Sequence, residues 1–435
     1  MTTVDNRLET EILQAIANSE AELVELASDL INFHTPVREP GDQPQQERAL
    51  QEYLAARLER AGAAIRLWEP DAAKLADNPQ LPTGLTFVGV PQLAATFAGA
   101  GGGPSMLFNG HIDVVLPGPL DLWSSDPFRA EVRDGRLYGR GACDMKGGVA
   151  CMVLAAETLA RLGVRLGGDL IVNTNSDEES SGCGSLACVA DGVAADAGIC
   201  PEPTDAEIYL ASRGSISVKV IVAGRSGHVE IRQPHWREGG AVNAIEKAEI
   251  VLGAVHELGQ RWAQQEHAYL APGSITPTVI HGGDWFVNYP ARCEVTLNIS
   301  YLPAAADEHG YGGRVRNEVE AAIRAATDRD PWLAENPPEL VWGPDLPPFE
   351  IPNEHPIVEV MSEASRRSGR EPKLGFTDSW FDAASFMRAD AGAVVGYGPT
   401  PHGQHGIDEH VSVADLVACA QALALAAVNW CGVAH

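Results

Sequence analysis

The sequence is short of positive charge. Thirty-one lysines and arginines stand against 59 aspartates and glutamates, giving a formal net charge of -28. That balance disfavours nucleic acid or an anionic membrane as a partner, because both repel a surplus of carboxylates. No apolar run reads as long as the ~18 residues of a membrane-spanning helix. Met1 to Glu20 is polar and acidic and lacks the basic-then-apolar order of a secretion leader. Paired cysteines are missing as well. Cys143, Cys151, Cys183, Cys188, Cys200, Cys293, Cys419 and Cys431 include no Cys-x-x-Cys, which argues against a zinc–thiolate knot. Scattered through a large chain, they read as buried free thiols, and a cytoplasmic location is the expectation. There is no Gly-x-Ser-x-Gly elbow, no internal repeat and no low-complexity segment.

What is present is an ordinary globular composition, 45% hydrophobic and 21% charged, over 435 residues. One core seldom serves so long a chain, so two domains are expected. Apolar positions at helical spacing predict helices in Glu9–Phe33, Gln45–Ala61, Val149–Leu162, Ala241–Gln264, Val315–Ala326, Pro356–Gly369, Phe381–Arg388 and Val413–Val428. Short apolar runs predict strands at Ala64–Trp68, Gln92–Phe97, Asp169–Asn175 and Ala393–Tyr397, and a buried strand ending in Gly110-His111-Ile-Asp113. The plan of strand, loop with carboxylate, helix is that of an α/β sheet whose functional groups gather at strand ends. The pattern changes at Arg213. Ser215–Val222 and Cys293–Leu302 alternate apolar and polar residues, as half-exposed strands do. The expected organisation is a mixed-sheet α/β domain of residues 1–212 and 328–435, interrupted by a smaller α+β domain of residues 213–327.

Five pieces fall at predicted strand ends or in the loops after them. They are His111 with Asp113, Asp144, the pair Glu178-Glu179, Glu202, and the run His402-Gly-Gln-His405-Gly-Ile-Asp-Glu409-His410. Singly, each has a plainer reading: a polar strand end, a helix N-cap at Asp144, solvated glutamates, surface histidines. Together, two imidazoles and three or four carboxylates without thiolates form the ligand set of a two-metal hydrolytic centre. His111 and Asp113 share a strand face, so an imidazole ligand and the carboxylate that orients it are one reading of that pair.

The order and wording of these segments resemble the M20 metallopeptidase family, which includes acetylornithine deacetylase, succinyl-diaminopimelate desuccinylase, aminoacylase and carboxypeptidases. The matching motifs are Gly110-His-Ile-Asp-Val-Val115, Tyr138-Gly-Arg-Gly-Ala-Cys-Asp-Met-Lys-Gly-Gly148, Asp177-Glu-Glu179, Glu202-Pro-Thr204 and His405-Gly-Ile-Asp-Glu409. The resemblance implies a zinc-hydrolase catalytic domain and an inserted lid that also forms a homodimer. It implies two divalent ions, zinc favoured and cobalt or manganese as alternatives, with Asp144 bridging them. His111 and Glu202 would complete one site, Glu179 and His405 the other. Asp113 would orient His111, Glu178 would act as general base, and the Asp144–Met145 peptide would be cis. His228 would reach the partner's active site and steady the oxyanion, and Asn243 would meet substrate.

The implied reaction is hydrolysis of an amide bond in an N-acylated amino acid or related small amine, through a metal-bridging hydroxide. A dipeptidase or carboxypeptidase on the same site is the alternative, and a non-catalytic metal-binding dimer a remoter one. The substrate side departs from the family. Ser300 stands where members often carry a lid arginine for a substrate carboxylate, so either Arg213, Arg232, Arg237 or Arg292 replaces it or the substrate lacks that carboxylate. The segment from His228 to Asn243 is long and adds His235, a second candidate lid histidine. Asp378 and Trp380 fall in a substrate-side loop.

Overall fold

The structure, a computed structural model, describes residues 6–389 and 391–434. The chain divides into two compact units. The first holds residues up to Ala211, Phe349–Phe376 and residues from Phe381 on; the second holds Ser212–Pro348 and Thr377–Trp380.

The first unit is built on a nine-stranded sheet. Its order is Ala64–Trp68, Gln92–Phe97, Leu170–Asn175, Met106–His111, Ala197–Cys200, Ala393–Gly396, Glu207–Ser212 and Phe349–Glu350, with Lys373–Thr377 also paired to Glu207–Ser212. The four middle strands, from Leu170–Asn175 to Ala393–Gly396, run parallel. Their carboxyl ends therefore share one edge, where an open α/β sheet presents its functional loops. Met106–His111 is buried at all six positions, as a central parallel strand should be. Helix Lys146–Arg161 is Ala-, Val- and Leu-rich all round and is buried over nearly its whole length. It packs against Met106–His111 and against Val413–Cys431.

Val413–Cys431 corrects one expectation. It is 19 residues long and apolar enough, by length and composition, to cross a membrane. Its apolar surround is protein instead: Leu416, Ala420, Leu423, Ala424 and Ala427 are fully buried in the first unit. Alanines lengthen the apolar stretch while leaving room for close helix packing. Asn6–Asn18 and Glu20–Asn32 form two opening helices that meet at Ser19.

The second unit is a four-stranded antiparallel sheet in the order Ser274–Gly282, Arg292–Tyr301, Gly214–Ala223, Glu339–Leu346. Gly214–Ala223 alternates buried and half-exposed positions, so one face is covered. Val218, Val220 and Val222 share a core with Val251, Val255 and Leu258 of helix Ala244–Trp262 and with Val319 and Ile323 of Gly313–Thr327. Glu339–Leu346 has no strong strand pattern, because Gly343 and Pro344 interrupt it; its register slips between Trp342 and Asp345. That fourth strand extends the second unit to Pro348, well past residue 327.

Candidate metal centre

The ends of the parallel strands bring His111, Glu178–Glu179 and Glu202 together, and the loops before helix Lys146–Arg161 and before strand His410–Ser412 add Asp144 and His405. His111 closes Met106–His111 and is fully buried. Its Nε2 lies 3.2 Å from Asp144 Oδ1, and 3.8 Å from both Glu178 Oε2 and Glu202 Oε1. The other carboxylate oxygen, Asp144 Oδ2, lies 3.1 Å from His405 Nε2 and accepts from Gln404 Nε2 at 2.8 Å. His405 Nε2 also lies 3.1 Å from Glu179 Oε2. Two clusters result, His111–Asp144–Glu202 and Asp144–Glu179–His405, each with ligand atoms within 4.8 Å of one another. Asp144 belongs to both, and its peptide bond to Met145 is cis.

Asp113 sits differently from the simple orienting role. His111 Nδ1 faces the main-chain oxygen of Asp113 at 2.9 Å, while the nearest carboxylate oxygen is 3.6 Å away. The Asp113 carboxylate accepts from the backbone N–H groups of Glu178 (3.3 Å) and Glu179 (3.1 Å). Asp113 thus holds His111 through its main chain and the Glu178–Glu179 turn through its side chain. Arg38, which the sequence gives no reason to single out, grips both oxygens of Asp177 from within the core (2.8 and 3.0 Å) and anchors the start of that turn. Asp177 has φ +65°, and the sharp turn points the next two glutamates into the cage.

Two of the motifs are tied together by a buried ion pair between Arg140 and Glu409. Glu409 Oε1 accepts from the backbone N–H groups of Cys143 (3.0 Å) and Asp144 (3.2 Å). Arg140 donates to the main-chain oxygen of Gly406 at 3.1 Å. The loop bearing Asp144 and the loop bearing His405 are therefore locked to each other.

The electrostatics of the cage call for cations. Burial, followed by the charges of Glu202 and Glu179, pushes the Glu178 carboxyl well above the carboxylate range, despite His111 nearby. Glu202 is raised in the same way by burial and by Asp144. Burial lifts Asp113 to about 6. His111 is raised against its own burial by Glu202, Asp144 and Glu178, and the hydrogen bonds to Asp144 and Glu179 raise His405 to about 10. Glu179 Oε1 and Glu202 Oε1 are buried and have no hydrogen-bond partner. Crowded carboxylates, two imidazole nitrogens and two orphaned oxygens fit hard or borderline divalent cations and leave little else that would satisfy them.

The second-unit candidates are placed as follows. His228 is exposed, and its backbone bridges to Asn288, a residue the sequence pattern does not single out. His235 is exposed and accepts from Arg237 N at the start of a short 3₁₀ turn. Asn243 caps helix Ala244–Trp262: its oxygen accepts from Ile245 N and its amide donates to Glu246. Arg213 is engaged by Asp378 (3.3 Å) and by the main-chain oxygen of Pro272 (2.9 Å). Arg237 pairs with Glu335, and Arg292 with Glu294. Arg232 is exposed and has no ion pair among the described residues. Asp378 Oδ1 also accepts from Ala271 N, which fixes the Thr377–Trp380 segment within this unit.

An acidic and imidazole cage with a shared aspartate, at the carboxyl edge of parallel strands, defines a metal-dependent hydrolase. The chain belongs to peptidase family M20/M25/M40, whose model matches residues 107–429. It is 27% identical over 437 residues, 96% of each chain, to N-formyl-4-amino-5-aminomethyl-2-methylpyrimidine deformylase of Bacillus subtilis. It is 30% identical over 407 residues to succinyl-diaminopimelate desuccinylase of Methylorubrum populi, covering 89% of this chain and 95% of that one. The fold is shared with human carnosine dipeptidase 1 (TM-score 0.71, 17% identity, 98% and 99% of the two chains). It is shared too with a dinuclear metal-binding peptidase of the M20 family from Bacillus subtilis (TM-score 0.63, 16% identity, 95% and 99%).

Proposed function

We propose that this protein is a di-metal amidohydrolase that removes the acyl group from an N-acylated amino acid or a related small amine. The observation that carries this is Asp144, whose two oxygens face two separate ligand clusters while Glu178 stands beside them without belonging to either. His111, Asp144 and Glu202 would hold one divalent ion; Asp144, Glu179 and His405 the other. Bound there, zinc, cobalt or manganese acidifies water and polarises a carbonyl.

Glu178 is the proton carrier in this scheme. Its carboxylate takes the proton of the attacking water and returns it to the leaving nitrogen. Asp113 and Arg38 hold the turn that aims it. Water is the nucleophile, so no serine or cysteine is required. The names of the deformylase and desuccinylase relatives favour a non-peptide amide over a peptide.

A homodimer through the second unit is part of the proposal. Strand Ser274–Gly282 is an open sheet edge with Val279 and Ile280 exposed, and Trp285 and Phe286 stand out from the connection that follows it. Unpaired edges and exposed aromatics of this kind suit self-association. His228, in the same unit, is then available to steady an oxyanion across the dimer, with His235 as the competing residue. Eight buried free thiols agree with a reducing, cytoplasmic setting.

The deciding experiment is a panel of N-formyl, N-acetyl and N-succinyl amino acids beside dipeptides, assayed with zinc, cobalt and manganese. Turnover of acylated amino acids in preference to dipeptides is expected. Turnover confined to dipeptides overturns the deacylase reading in favour of a peptidase.

A further inference from the structure

Beside the cage lies a carboxylate that belongs to neither ligand cluster. Asp382 is fully buried and precedes the short helix Ala383–Arg388, yet its side chain does not cap that helix. Its Oδ2 instead accepts from Asn175 Nδ2 at 2.7 Å and from Asn109 Nδ2 at 3.0 Å. Both asparagines are fully buried, and both stand on strands that deliver cage residues. Asn109 is two residues before His111, on the same face of its strand. Asn175 ends Leu170–Asn175, lies opposite His111 in the parallel register and leads into the Glu178–Glu179 turn. Asn109 Nδ2 also lies 3.6 Å from Cys200 Sγ, two residues before Glu202. One carboxylate thus gathers the ends of the strands that carry His111, Glu178–Glu179 and Glu202.

Its charge has no partner of its own kind. No lysine or arginine pairs with Asp382 among the described residues, and a buried carboxylate without a countercharge is costly. The two amide donors and the Ser185 hydroxyl lower that cost without cancelling the charge. His111 is the positive group of the cage that acts on it, and divalent cations held there would add the larger compensating charge.

We propose that Asp382 is a positioning residue for the metal cage: through Asn109 and Asn175 it clamps the ligand-bearing strand ends, and its negative charge tightens divalent-cation binding. The inference rests on the reading that the cage holds divalent ions. The test is Zn²⁺ affinity of the metal-stripped full chain by chelator competition, with a thermal melt of the stripped protein alongside. Asp382→Asn is expected to weaken Zn²⁺ binding about 10-fold or more, the usual effect of losing a carboxylate that supports metal ligands. The stripped variant should melt no lower than the stripped parent, because removing a charge from a crowded anionic cage relieves repulsion. The double variant Asn109→Asp/Asp382→Asn moves the charge by one side chain and keeps a complete donor–acceptor chain. In it the amide at position 382 donates to the carboxylate at position 109 and accepts from Asn175. It should recover affinity to within about threefold of the parent.

Unchanged Zn²⁺ affinity in Asp382→Asn, with the parent binding two ions, overturns the role of Asp382 and leaves the metal reading intact. A lower melt with unchanged affinity assigns Asp382 to folding alone and also overturns it. If the single variant does not fold, the double variant carries the test, and affinity more than about 10-fold below the parent overturns the proposal. A parent that binds no divalent ion overturns the metal reading itself.

Discussion

Glu178, half-buried, and Glu409, fully buried, show how differently two glutamates can serve. Glu178 faces the cage: its backbone N–H donates to Asp113 and its carboxylate lies 3.8 Å from His111 Nε2. Replacing it by glutamine keeps shape and removes the proton carrier. Turnover should fall by about 10²- to 10⁴-fold with metal content unchanged. Elemental analysis beside a rate assay checks this, and retained turnover excludes Glu178 as the base. Glu409 is a structural anion held by Arg140. Arg140→Met strands that carboxylate in the core and should cost roughly 3–5 kcal/mol in urea unfolding. A loss below about 1 kcal/mol would mean that the ion pair does not lock the two motif loops. The supporting contacts were invisible in the sequence for one reason, distance along the chain. Arg38 meets Asp177 across 139 residues, Asn109 meets Asp382 across 273, and Glu409 reaches the Cys143 amide across 266. By contrast, His111, Asp144, the pair Glu178-Glu179, Glu202 and the run His402–His410 stood out because each follows its own strand or opens its own loop, while the choice of Glu179 and His405 among them came from the family resemblance. That local signal is legible without any knowledge of the pairing.

The long helices and the central strands of the first unit were legible for the same reason: a clear local period or a short apolar run, bounded in most cases by glycine or proline. Val413–Cys431 shows the limit of composition. Its apolarity reads alike in a membrane and in a core, and only packing decides. Leu423→Ala there should cost about 2–5 kcal/mol, the range for a fully buried leucine in a tight core. The elements missed include helix Cys183–Ala190 and strands Glu207–Ser212 and Lys373–Thr377 in the first unit, and in the second Ser274–Gly282 and Glu339–Leu346, an open sheet edge and a strand interrupted by Gly343-Pro344. Neither of these last two carries a clean period of two. The insertion from His228 to Asn243 poses a sharper question. Asn243 is engaged at both ends of its amide as a helix cap, so a loss of activity in Asn243→Ala mixes two effects. Asn243→Ser keeps the cap acceptor. Asn243→Ala should lose about 1 kcal/mol of stability in urea and Asn243→Ser only a few tenths. A substrate role then requires both variants to raise KM alike; a rise in the alanine variant alone traces to the cap.

For the whole molecule, the net charge of -28 sets a condition on stability. Part of that charge is solvated surface, but the carboxylates of the cage are buried or half-buried together, and among the described residues two imidazoles, one buried and one exposed, share their clusters. The folded chain therefore holds a concentrated anionic centre that the unfolded chain disperses into water. Cations that bind the folded form add stability by mass action, about 4 kcal/mol when free metal stands 1,000-fold above its dissociation constant. Removing them returns that amount and exposes the repulsion between Glu178, Glu179, Glu202 and Asp144. Scanning calorimetry of the intact protein with and without EDTA should show the main transition falling by several degrees. Adding zinc back in excess of the chelator should restore it. The Glu178→Gln chain, which keeps every ligand and loses one anion of the cage, should show a smaller fall on chelation than the parent. An equal melt with and without EDTA, in protein confirmed by elemental analysis to have carried metal, would show that the cage is balanced by its own protons and histidines rather than by bound cations.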